Sequence, residues 1–399
     1  MNPFADITNI GFLDTETRAE KGTSPNDANV KTAGTYRYTK NSYVIISTFA
    51  LGERPVFDVS LDRGFDGDWL CWDEMPVELR EFHKRVEQRE AWYAAFNAGF
   101  DRNAWNNGTY DFPRLEPDMI IDIMAQATAS NLPPSLEGAA KSLGLGGKHP
   151  DGSYLINMFC GPDGKTPSEE PQRWEDFKFY GRMDTDLMRD IYRRTRALSP
   201  EEWQDYFVSE KINERGIGID LPTAARAARI AAASSYRDGK QLARWTNGQI
   251  TAVTQANRIA EWLYEQLPTE AAMLLVSEWD EGEAEDDLVV GKLSLERDRI
   301  GKLVAYFDAL EKKQGLTERE QVMRMVVETR QYGGSTSPGK FQKMLDQHDG
   351  GKLKGQYVFN GAQQTGRFSS KGVQVHNLTR SSLNEFEAAA IEMINELEV

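Results

Sequence analysis

The chain has 399 residues, with 47 Lys and Arg against 62 Asp and Glu, and a net charge of −15 at pH 7. Hydrophobic residues make up 40% of it, enough for a folded core, and its length predicts two or three domains. No apolar run is long enough to span a membrane, and the N-terminus lacks the basic start of a secretory signal. Cys71 and Cys160 form no Cys-x-x-Cys pair, which argues against a disulfide framework or a cysteine zinc site and fits a reducing cytoplasm.

The first half of the chain mixes strand and helix patterns, which predicts an α/β (α+β) domain of about 200 residues. The predicted elements are strands over 8–14, 42–51 and 55–60, a helix over 76–90, a strand over 92–97, a short helix from Phe100 and an apolar run over 119–123.

The character of the chain changes near Ser199 and Pro200, where we place a domain boundary. Beyond this point the spacing of apolar residues predicts a mainly helical region, followed by Gly- and Ser-rich sequence from Tyr332 onward. The predicted elements are helices over 201–213, 222–247, 252–266 and 293–313, a short helix over 338–346 and an extended segment over 355–361.

Asp14 and Glu16 follow the first predicted strand as an Asp-x-Glu pair. Residues i and i+2 of a strand share one face, so both carboxylates leave the same side of the sheet edge. Two like charges held this close favour binding of a divalent cation.

Asp101 lies in Asn97-Ala98-Gly99-Phe100-Asp101, where a strand passes into a helix. Site residues often occupy this position in open α/β sheets. The alternative is that Asp101 caps the helix over 100–105.

Tyr180 and Asp184 are four residues apart and share one helix face with Leu187, Met188 and Ile191. A carboxylate on an otherwise apolar face needs a partner or a metal ion. Alternatives to a metal are a Tyr–Asp pair at the helix end and a salt bridge from Arg182 or Arg189.

Together these three motifs resemble the DEDD superfamily of 3′→5′ exonucleases, in the subclass with a tyrosine in its third motif. The resemblance implies a ribonuclease-H-like fold with a mixed sheet flanked by helices. It also implies that Asp14, Glu16, Asp101 and Asp184 hold two Mg²⁺ or Mn²⁺ ions and that Tyr180 orients the attacking water. Hard oxygen ligands suit these ions, and paired metal ions suit phosphodiester hydrolysis.

Further segments are similar to phage family-A DNA polymerases. They include Gly34-Thr35-Tyr36-Arg37-Tyr38, residues 97–103, 132–137, 151–160 and 211–220, and Asn360 to Ser370 with Val373 to Leu378. Asn97 and Asp122 are candidates for a supporting role around the carboxylates, and a helix N-cap is the alternative for Asp122.

The last of these segments contains a Thr-Gly-Arg element that resembles the family's primer–template contact. It lies between Gly351 and Arg380, a stretch with five basic residues and no acidic one. The resemblance implies DNA contacts, with Lys and Arg on phosphates and polar side chains positioning the strand. The candidates are Thr365, Arg367, Ser369, Lys371, Gln374 and Asn377. The alternative is a Gly- and Ser-rich surface loop.

The palm aspartates and fingers helix of a family-A polymerase do not follow this element. His348-Asp349-Gly350 and Arg324 to Gly333 resemble them but precede it, so we interpret them as a turn and a helix end. A shortened chain, a gene split in two and a stand-alone nuclease derived from a polymerase all remain open. The last residues, 383–397, have the spacing of an acidic amphipathic helix that either docks a partner chain or closes the fold.

The sequence thus predicts four regions: an exonuclease domain over 1–199, a thumb-like helical region over 200–331, a partial palm over 332–380 and an acidic tail over 381–399. The expected function is a two-metal 3′→5′ exodeoxyribonuclease, the proofreading portion of a split or truncated family-A DNA polymerase, in the cytoplasm of a bacterial or phage-infected cell. Expected partners are a single-stranded DNA 3′ end, primer–template DNA and a second polypeptide with palm and fingers, and no membrane. The alternatives are a non-catalytic DNA-binding subunit of such a polymerase and an RNA-processing nuclease.

Overall fold

A computed structural model of the chain describes residues 2–62, 69–147, 150–277, 292–335, 337–362, 364–378 and 385–396, except the side chains of 385–387. Contacts divide the chain into two compact units. The first contains Met1–Leu221 and Lys343–Ser382, and the second contains Pro222–Gln342 and Leu383–Val399. None of the described helices is long and apolar enough to cross a membrane.

Within the described residues, five strands form one mixed sheet in the first unit, in the order β3-β2-β1-β4-β5. They are β1 (Ile10–Ala19), β2 (Ser42–Leu51), β3 (Phe57–Ser60), β4 (Trp92–Ala95) and β5 (Ile120–Asp122). Strand β2 is antiparallel to β1 and β3, whereas β4 and β5 run parallel to β1. The predicted α/β architecture, a mixed sheet flanked by helices, is confirmed at this level.

Helices make up most of the remaining described chain. The α-helices are α1 (Val30–Ala33), α2 (Thr35–Tyr38), α3 (Val77–Glu87), α4 (Ala98–Gly108), α5 (Ile123–Ala129), α6 (Leu136–Ser142), α7 (Gly152–Phe159), α8 (Pro171–Arg194), α9 (Pro200–Arg215), α10 (Leu221–Trp245), α11 (Ala256–Gln266), α12 (Thr269–Ala272), α13 (Arg297–Gln314), α14 (Glu318–Gly333), α15 (Gly339–Gln347) and α16 (Glu385–Glu396). Single 3₁₀ turns occupy Pro3–Ala5, Ile7–Asn9, Thr39–Asn41, Trp72–Glu74, Pro117–Met119, Met273–Leu275 and Val375–Asn377.

The sheet is buried on both faces because successive side chains of a strand alternate in direction. Phe12 of β1 belongs to a core that includes Met188 and Ile191 of α8. Its neighbour Leu13 belongs to a different core, with Leu79 of α3 and Trp105 of α4. Helix α8 therefore covers the face of β1 that carries Phe12. Asp14 and Glu16 project from the same face, because they follow Phe12 at intervals of two residues.

Strand β1 is longer than predicted and continues five residues beyond Asp14, to Ala19. The polar residues of this segment made it look unlike a strand. In the structure its β-branched Thr15 and Thr17 are buried and pair with β2. Arg18 is also buried, because its guanidinium pairs with Asp62 at 3.1 Å and donates to the carbonyl of Phe159 at 2.7 Å. The Asp-x-Glu pair therefore lies inside the strand and not at its end.

The chain returns to the first unit within α15, at Lys343. Two short antiparallel pairs follow: β6 (Ile217–Gly218) with β7 (Lys352–Leu353), and β8 (Tyr357–Ala362) with β9 (Arg367–Ser370). The predicted partial palm is thus divided, with 343–382 in the first unit and 332–342 in the second. The first unit also continues past the predicted boundary at residue 199, to Leu221. The assignment of these parts to nuclease, thumb and palm stays a prediction.

The second unit has its own apolar core, built from α10 to α14. Leu242, Ile259, Leu303, Phe307 and Val327 are buried in it. Helix α16 belongs to the same unit, and the side chain of Thr223 donates to Asn395 Oδ1 at 2.6 Å. Helix α16 confirms the helix predicted near the end of the chain. The predicted apolar positions Leu383 and Leu397, and the boundary at residues 380–381, lie outside the described residues.

Candidate active site

Asp14 and Glu16 project from the middle of β1 and are partly exposed, whereas Thr15 and Thr17 between and beside them are buried. This alternation follows directly from strand geometry and places both carboxylates on one face. Asp14 lies opposite Thr48 of β2, and the pairing with β2 becomes irregular just after Glu16. Glu16 Oε2 also lies 3.8 Å from the sulfur of Cys160.

Helix α8 places Tyr180 and Asp184 on the face that packs against the sheet, and each side chain is buried. The helix is held to β2 by Thr48, whose hydroxyl lies 2.6 Å from the Thr185 hydroxyl and 3.1 Å from the carbonyl oxygen of Gly181. A Cβ at Gly181 would lie 3.0 Å from the Thr48 methyl group, so glycine permits the close approach. The predicted shared face of Tyr180 and Asp184 is therefore present.

The Tyr180 hydroxyl lies among carboxylates. Burial raises its pKa well above the ordinary value, and the negative charges of Glu16, Asp184 and Asp14 raise it further. Its hydrogen bond with the Asp184 carboxylate acts in the same direction. The hydroxyl therefore stays protonated at neutral pH and is a hydrogen-bonding group, not a base. The alternative salt-bridge partners lie elsewhere, since Arg182 pairs with Asp58 and Arg189 pairs with Asp186.

Asp101 occupies the first turn of α4 and is buried. The helix begins at Ala98 with Asn97 as its flanking residue, so the alternative role of Asp101 as the cap is wrong. Instead, Asp101 Oδ1 accepts hydrogen bonds from the Thr15 backbone N–H at 3.0 Å and the Thr15 hydroxyl at 2.7 Å. Burial and the neighbouring charge of Asp14 raise the pKa of Asp101 well above its usual range, more than these hydrogen bonds lower it.

One cavity of about 610 Å³ brings most of the predicted site together. Its lining includes Asp14, Glu16, Asn97, Tyr180, Asp184, Ser369 and Lys371. Asp101 is not among the described residues that line it and is joined to it through Thr15 and through the charge of Asp14.

Asp122 lies at a neighbouring cavity of about 400 Å³, which Asn97 and Lys371 also line. It caps α5 by accepting from the Met124 N–H at 2.8 Å, and it accepts from the Asn97 N–H at 2.9 Å. The helix-cap alternative for Asp122 is therefore confirmed. Burial raises its pKa to about 6 in spite of these hydrogen bonds.

The residues predicted to contact DNA lie in the β8–β9 hairpin and in the turn after it. Ser369 and Lys371 line the larger cavity, and Arg367 is exposed at the start of β9. Thr365 lies in the exposed hairpin turn. Gln374 precedes the following 3₁₀ turn and Asn377 is its last residue, and the Asn377 amide donates to Gln374 Oε1 at 3.4 Å.

The carboxylates of Asp14, Glu16 and Asp184 in the lining of the larger cavity fit hard divalent cations, which prefer oxygen ligands. Burial and then the charge of Asp14 raise the pKa of Asp101, and a nearby cation would favour its ionised form against both effects. Among the described residues, however, no three His, Cys, Asp or Glu side chains are grouped closely enough to define a metal site by themselves. The two-ion site therefore stays a prediction.

Sequence reasoning missed four residues that support the site: Thr15, Thr48, Gly152 and Gly181. Thr15 holds Asp101, and Thr48 holds α8. A Cβ at Gly152 would lie 2.8 Å from the Tyr180 ring, which makes this glycine part of the ring's packing. The sequence offered one local sign of this packing, the glycine at position 181 inside a predicted helix. Glycine destabilises a helix, so its presence there indicates that another element packs closely against it.

Comparison with known proteins gives one informative match. Over 375 residues the chain is 25% identical to a protein named DNA polymerase from Bacillus phage SP02. The match covers 90% of this chain and 50% of that polymerase, so the chain spans about half the length of this relative. No family model matches the chain. The similarity supports a relationship to phage DNA polymerases.

Proposed function

We propose that the first unit is a metal-dependent 3′→5′ exonuclease that removes nucleotides from the 3′ end of DNA, the proofreading part of a family-A type polymerase. The observation that carries this proposal is the single cavity lined by Asp14, Glu16, Tyr180 and Asp184. The relative named DNA polymerase supports DNA as the substrate. The strand order β3-β2-β1-β4-β5, with β2 antiparallel, supports the ribonuclease-H-like fold that the motifs imply.

Asp14, Glu16, Asp101 and Asp184 would hold the divalent cations. Bound there, Mg²⁺ or Mn²⁺ would supply an activated water and stabilise the leaving oxygen. Thr15 fixes the orientation of Asp101 by donating two hydrogen bonds to one of its oxygens, and this leaves the other oxygen as the candidate ligand. Thr48, which lies opposite Asp14, holds α8 against β2, and Asp184 is carried by that helix.

Tyr180 would position the attacking water. Its hydroxyl remains protonated and hydrogen bonds with Asp184, so an oxygen lone pair is available to accept a hydrogen bond from a water molecule. Gly152 leaves room for the ring, which also stacks on Phe177 with ring centroids 6.0 Å apart. Packing on both sides keeps the hydroxyl in one orientation, which is what water positioning requires.

The direct test is hydrolysis of a 5′-labelled DNA strand with Mg²⁺ or Mn²⁺, with products resolved by length. We expect stepwise shortening from the 3′ end, abolished by EDTA and by Asp14→Ala or Asp184→Ala. Undiminished cleavage by the purified Asp14→Ala protein would refute the proposal. An equivalent RNA strand tests the RNA-nuclease alternative, because only the sugar differs.

A second candidate is a non-catalytic DNA-binding subunit that completes a polymerase with a second chain. It is favoured by the match to a DNA polymerase. The carboxylate-lined cavity argues against it, since DNA binding alone gains nothing from anionic groups beside phosphates. A chain that binds primed DNA, shows no metal-dependent hydrolysis and supports synthesis only with a partner would favour this candidate.

A further inference from the structure

The β8–β9 hairpin forms one wall of the cavity that contains Asp14, Glu16 and Asp184. Val358, Phe359 and Gly361 of β8, with Ser369 and Ser370 of β9 and the adjoining Lys371, line that cavity. More than 340 residues separate Asp14 from the hairpin in the sequence, so this proximity is a product of the tertiary fold. Lys371, directly after β9, lines the same cavity as these carboxylates and supplies a basic group there.

The hairpin is anchored firmly to α9. The buried Asn213 side chain accepts from the Tyr357 N–H and donates to the Tyr357 carbonyl, each at 2.9 Å. The Phe359 ring packs against Tyr206 with centroids 5.7 Å apart. Two hydrogen bonds to one residue's backbone and an aromatic contact hold β8 in place, so the wall is a built part of the first unit.

The exposed surface of the hairpin has the chemistry of a single-strand platform. Phe368 packs edge-on against Phe359 at 5.6 Å, yet 51% of it remains exposed. In the sequence Arg367 precedes Phe368 and Lys371 follows it three residues later, and both cations are exposed in a stretch without acidic residues. Lys371 lines the cavity, whereas Phe368 is not among the described residues that line it. Proteins bind single strands with exposed aromatic rings and nearby basic residues, because bases stack on the rings and phosphates pair with the cations.

We propose that the β8–β9 hairpin binds the single strand whose 3′ end enters the nuclease cavity, with Lys371 on a backbone phosphate in the cavity and Phe368 stacked on a base outside the cavity lining. This inference rests on the proposed nuclease function and goes beyond it by naming the surface that selects the substrate. It also differs from the expectation that the Thr-Gly-Arg element contacts duplex primer–template. A strand held by the hairpin has its terminal phosphodiester beside Tyr180 and Asp184.

Binding is measured by fluorescence anisotropy of the full chain with a short 5′-fluorescein oligothymidylate in EDTA, where no hydrolysis occurs. Phe368→Ala should weaken single-strand affinity by about 5- to 100-fold, the range for loss of one stacked base. Lys371→Ala should reduce the slope of log K against log salt by about 0.7, the value for one single-strand phosphate. A duplex of the same length should be affected much less by either change.

Two matched controls separate the hairpin from general surface effects. Lys352 is an exposed cation of the same acid-free stretch that does not line the cavity, and Tyr110 is an aromatic residue with 65% exposure outside it. Lys352→Ala and Tyr110→Ala should leave the affinity and salt slope as in the wild type. Equal losses in controls and hairpin variants, or greater losses for duplex than for single strand, would overturn the inference.

Hydrolysis of the same oligonucleotide with Mn²⁺ separates this inference from the proposed function. Phe368→Ala should raise KM and change kcat little, because the lost contact is the same in ground and transition states. A wild-type protein inert with both Mg²⁺ and Mn²⁺ refutes the nuclease, whereas the anisotropy results still decide the binding surface. An active wild type with an unchanged KM in Phe368→Ala refutes the inference alone.

Discussion

Thr15 donates two hydrogen bonds to a single oxygen of Asp101, one from its backbone N–H at 3.0 Å and one from its hydroxyl at 2.7 Å. Thr15 lies between Asp14 and Glu16, so the strand that carries two carboxylates also orients a third from a different element. The face of β1 that carries Thr15 is therefore as much a part of the candidate site as the face that carries Asp14 and Glu16.

Thr15→Val tests this relationship because valine has nearly the same shape and removes only the hydroxyl. A hydrogen bond to a charged group contributes about 1.5–3 kcal/mol, so we expect Asp101 to lose its fixed orientation. The Mn²⁺ concentration that gives half-maximal hydrolysis should rise several-fold, as metal titrations of activity would show. Thr17→Val is the matched control, since the Thr17 hydroxyl lies 2.9 Å from the Tyr38 hydroxyl and contacts no carboxylate in the described chain. A similar rise in both variants would contradict the role of Thr15.

Tyr180→Phe should reduce kcat about 10- to 1,000-fold, because one positioned hydrogen bond to the water is lost. Metal affinity and DNA affinity should stay near the wild-type values in single-turnover and binding measurements. Tyr192→Phe is the control on the same helix, where the hydroxyl donates to the Phe4 carbonyl at 2.5 Å. It should lower stability and leave kcat nearly unchanged. Loss of DNA affinity with intact turnover in Tyr180→Phe would show that the assigned role is wrong.

Gly152→Ala should lower kcat although this glycine carries no functional group. The added Cβ would lie 2.8 Å from Cε2 of Tyr180 and displace the ring. Gly301→Ala is the control, because Gly301 lies within α13 and nothing in the described chain lies within 4 Å of the new Cβ. It should raise stability by about 0.5–1 kcal/mol, as alanine does in a helix interior, and leave hydrolysis unchanged. Thermal unfolding and initial rates measure the two effects, and wild-type kcat in Gly152→Ala would contradict the packing argument.

His83 should make the protein less stable as the pH falls below about 6.5. His83 belongs to α3 and its ring is buried against the core. This burial lowers the pKa of the ring from 6.5 to about 4. The unfolded chain therefore binds a proton at a higher pH than the native chain does. The contribution of neutral His83 is complete above pH 6.5 and is lost as the pH falls toward 4, a change of about 3 kcal/mol.

Urea unfolding between pH 7 and pH 4 measures this effect. His83→Phe should show a smaller fall in unfolding free energy than the wild type over that interval. Glu87 Oε1 lies 3.7 Å from His83 Nε2, and Glu87→Gln tests whether this contact matters. Because the Glu87 carboxylate is half exposed, Glu87→Gln should keep the wild-type pH dependence. Identical slopes for wild type and His83→Phe would refute the role of burial.

The elements that the sequence predicted well are those with a strong local pattern. Strand β2 matches its predicted range of 42–51, because a β-branched and aromatic run bounded by polar residues has few alternatives. Strand β1 was predicted too short, since the alternation Thr-Glu-Thr-Arg resembles a loop until its pairing with β2 and the burial of Arg18 are known. Helix α14 spans Glu318–Gly333, but only its C-terminal part, from Arg324 to Gly333, was identified from the sequence as the end of a helix.

The candidate site was predictable where spacing carried the information and not where tertiary packing did. The shared faces of Asp14 with Glu16 and of Tyr180 with Asp184 follow from strand and helix periods. The place of Asp101 behind Thr15, and of Lys371 beside the carboxylates, depends on contacts between residues far apart in the chain. No local pattern encodes such contacts.

The position of the β8–β9 hairpin also affects the order of events during protein synthesis. Helices and strands up to Leu221 emerge from the ribosome first, yet the cavity gains its hairpin wall only when Lys371 has been made. At roughly 5–20 residues per second, these 150 further residues take about 8–30 s. During that interval a nascent chain exposes Tyr206 and Asn213, the surfaces that the hairpin later covers. In the proposed nuclease, the surface that binds the single strand would form only after Lys371 has been made.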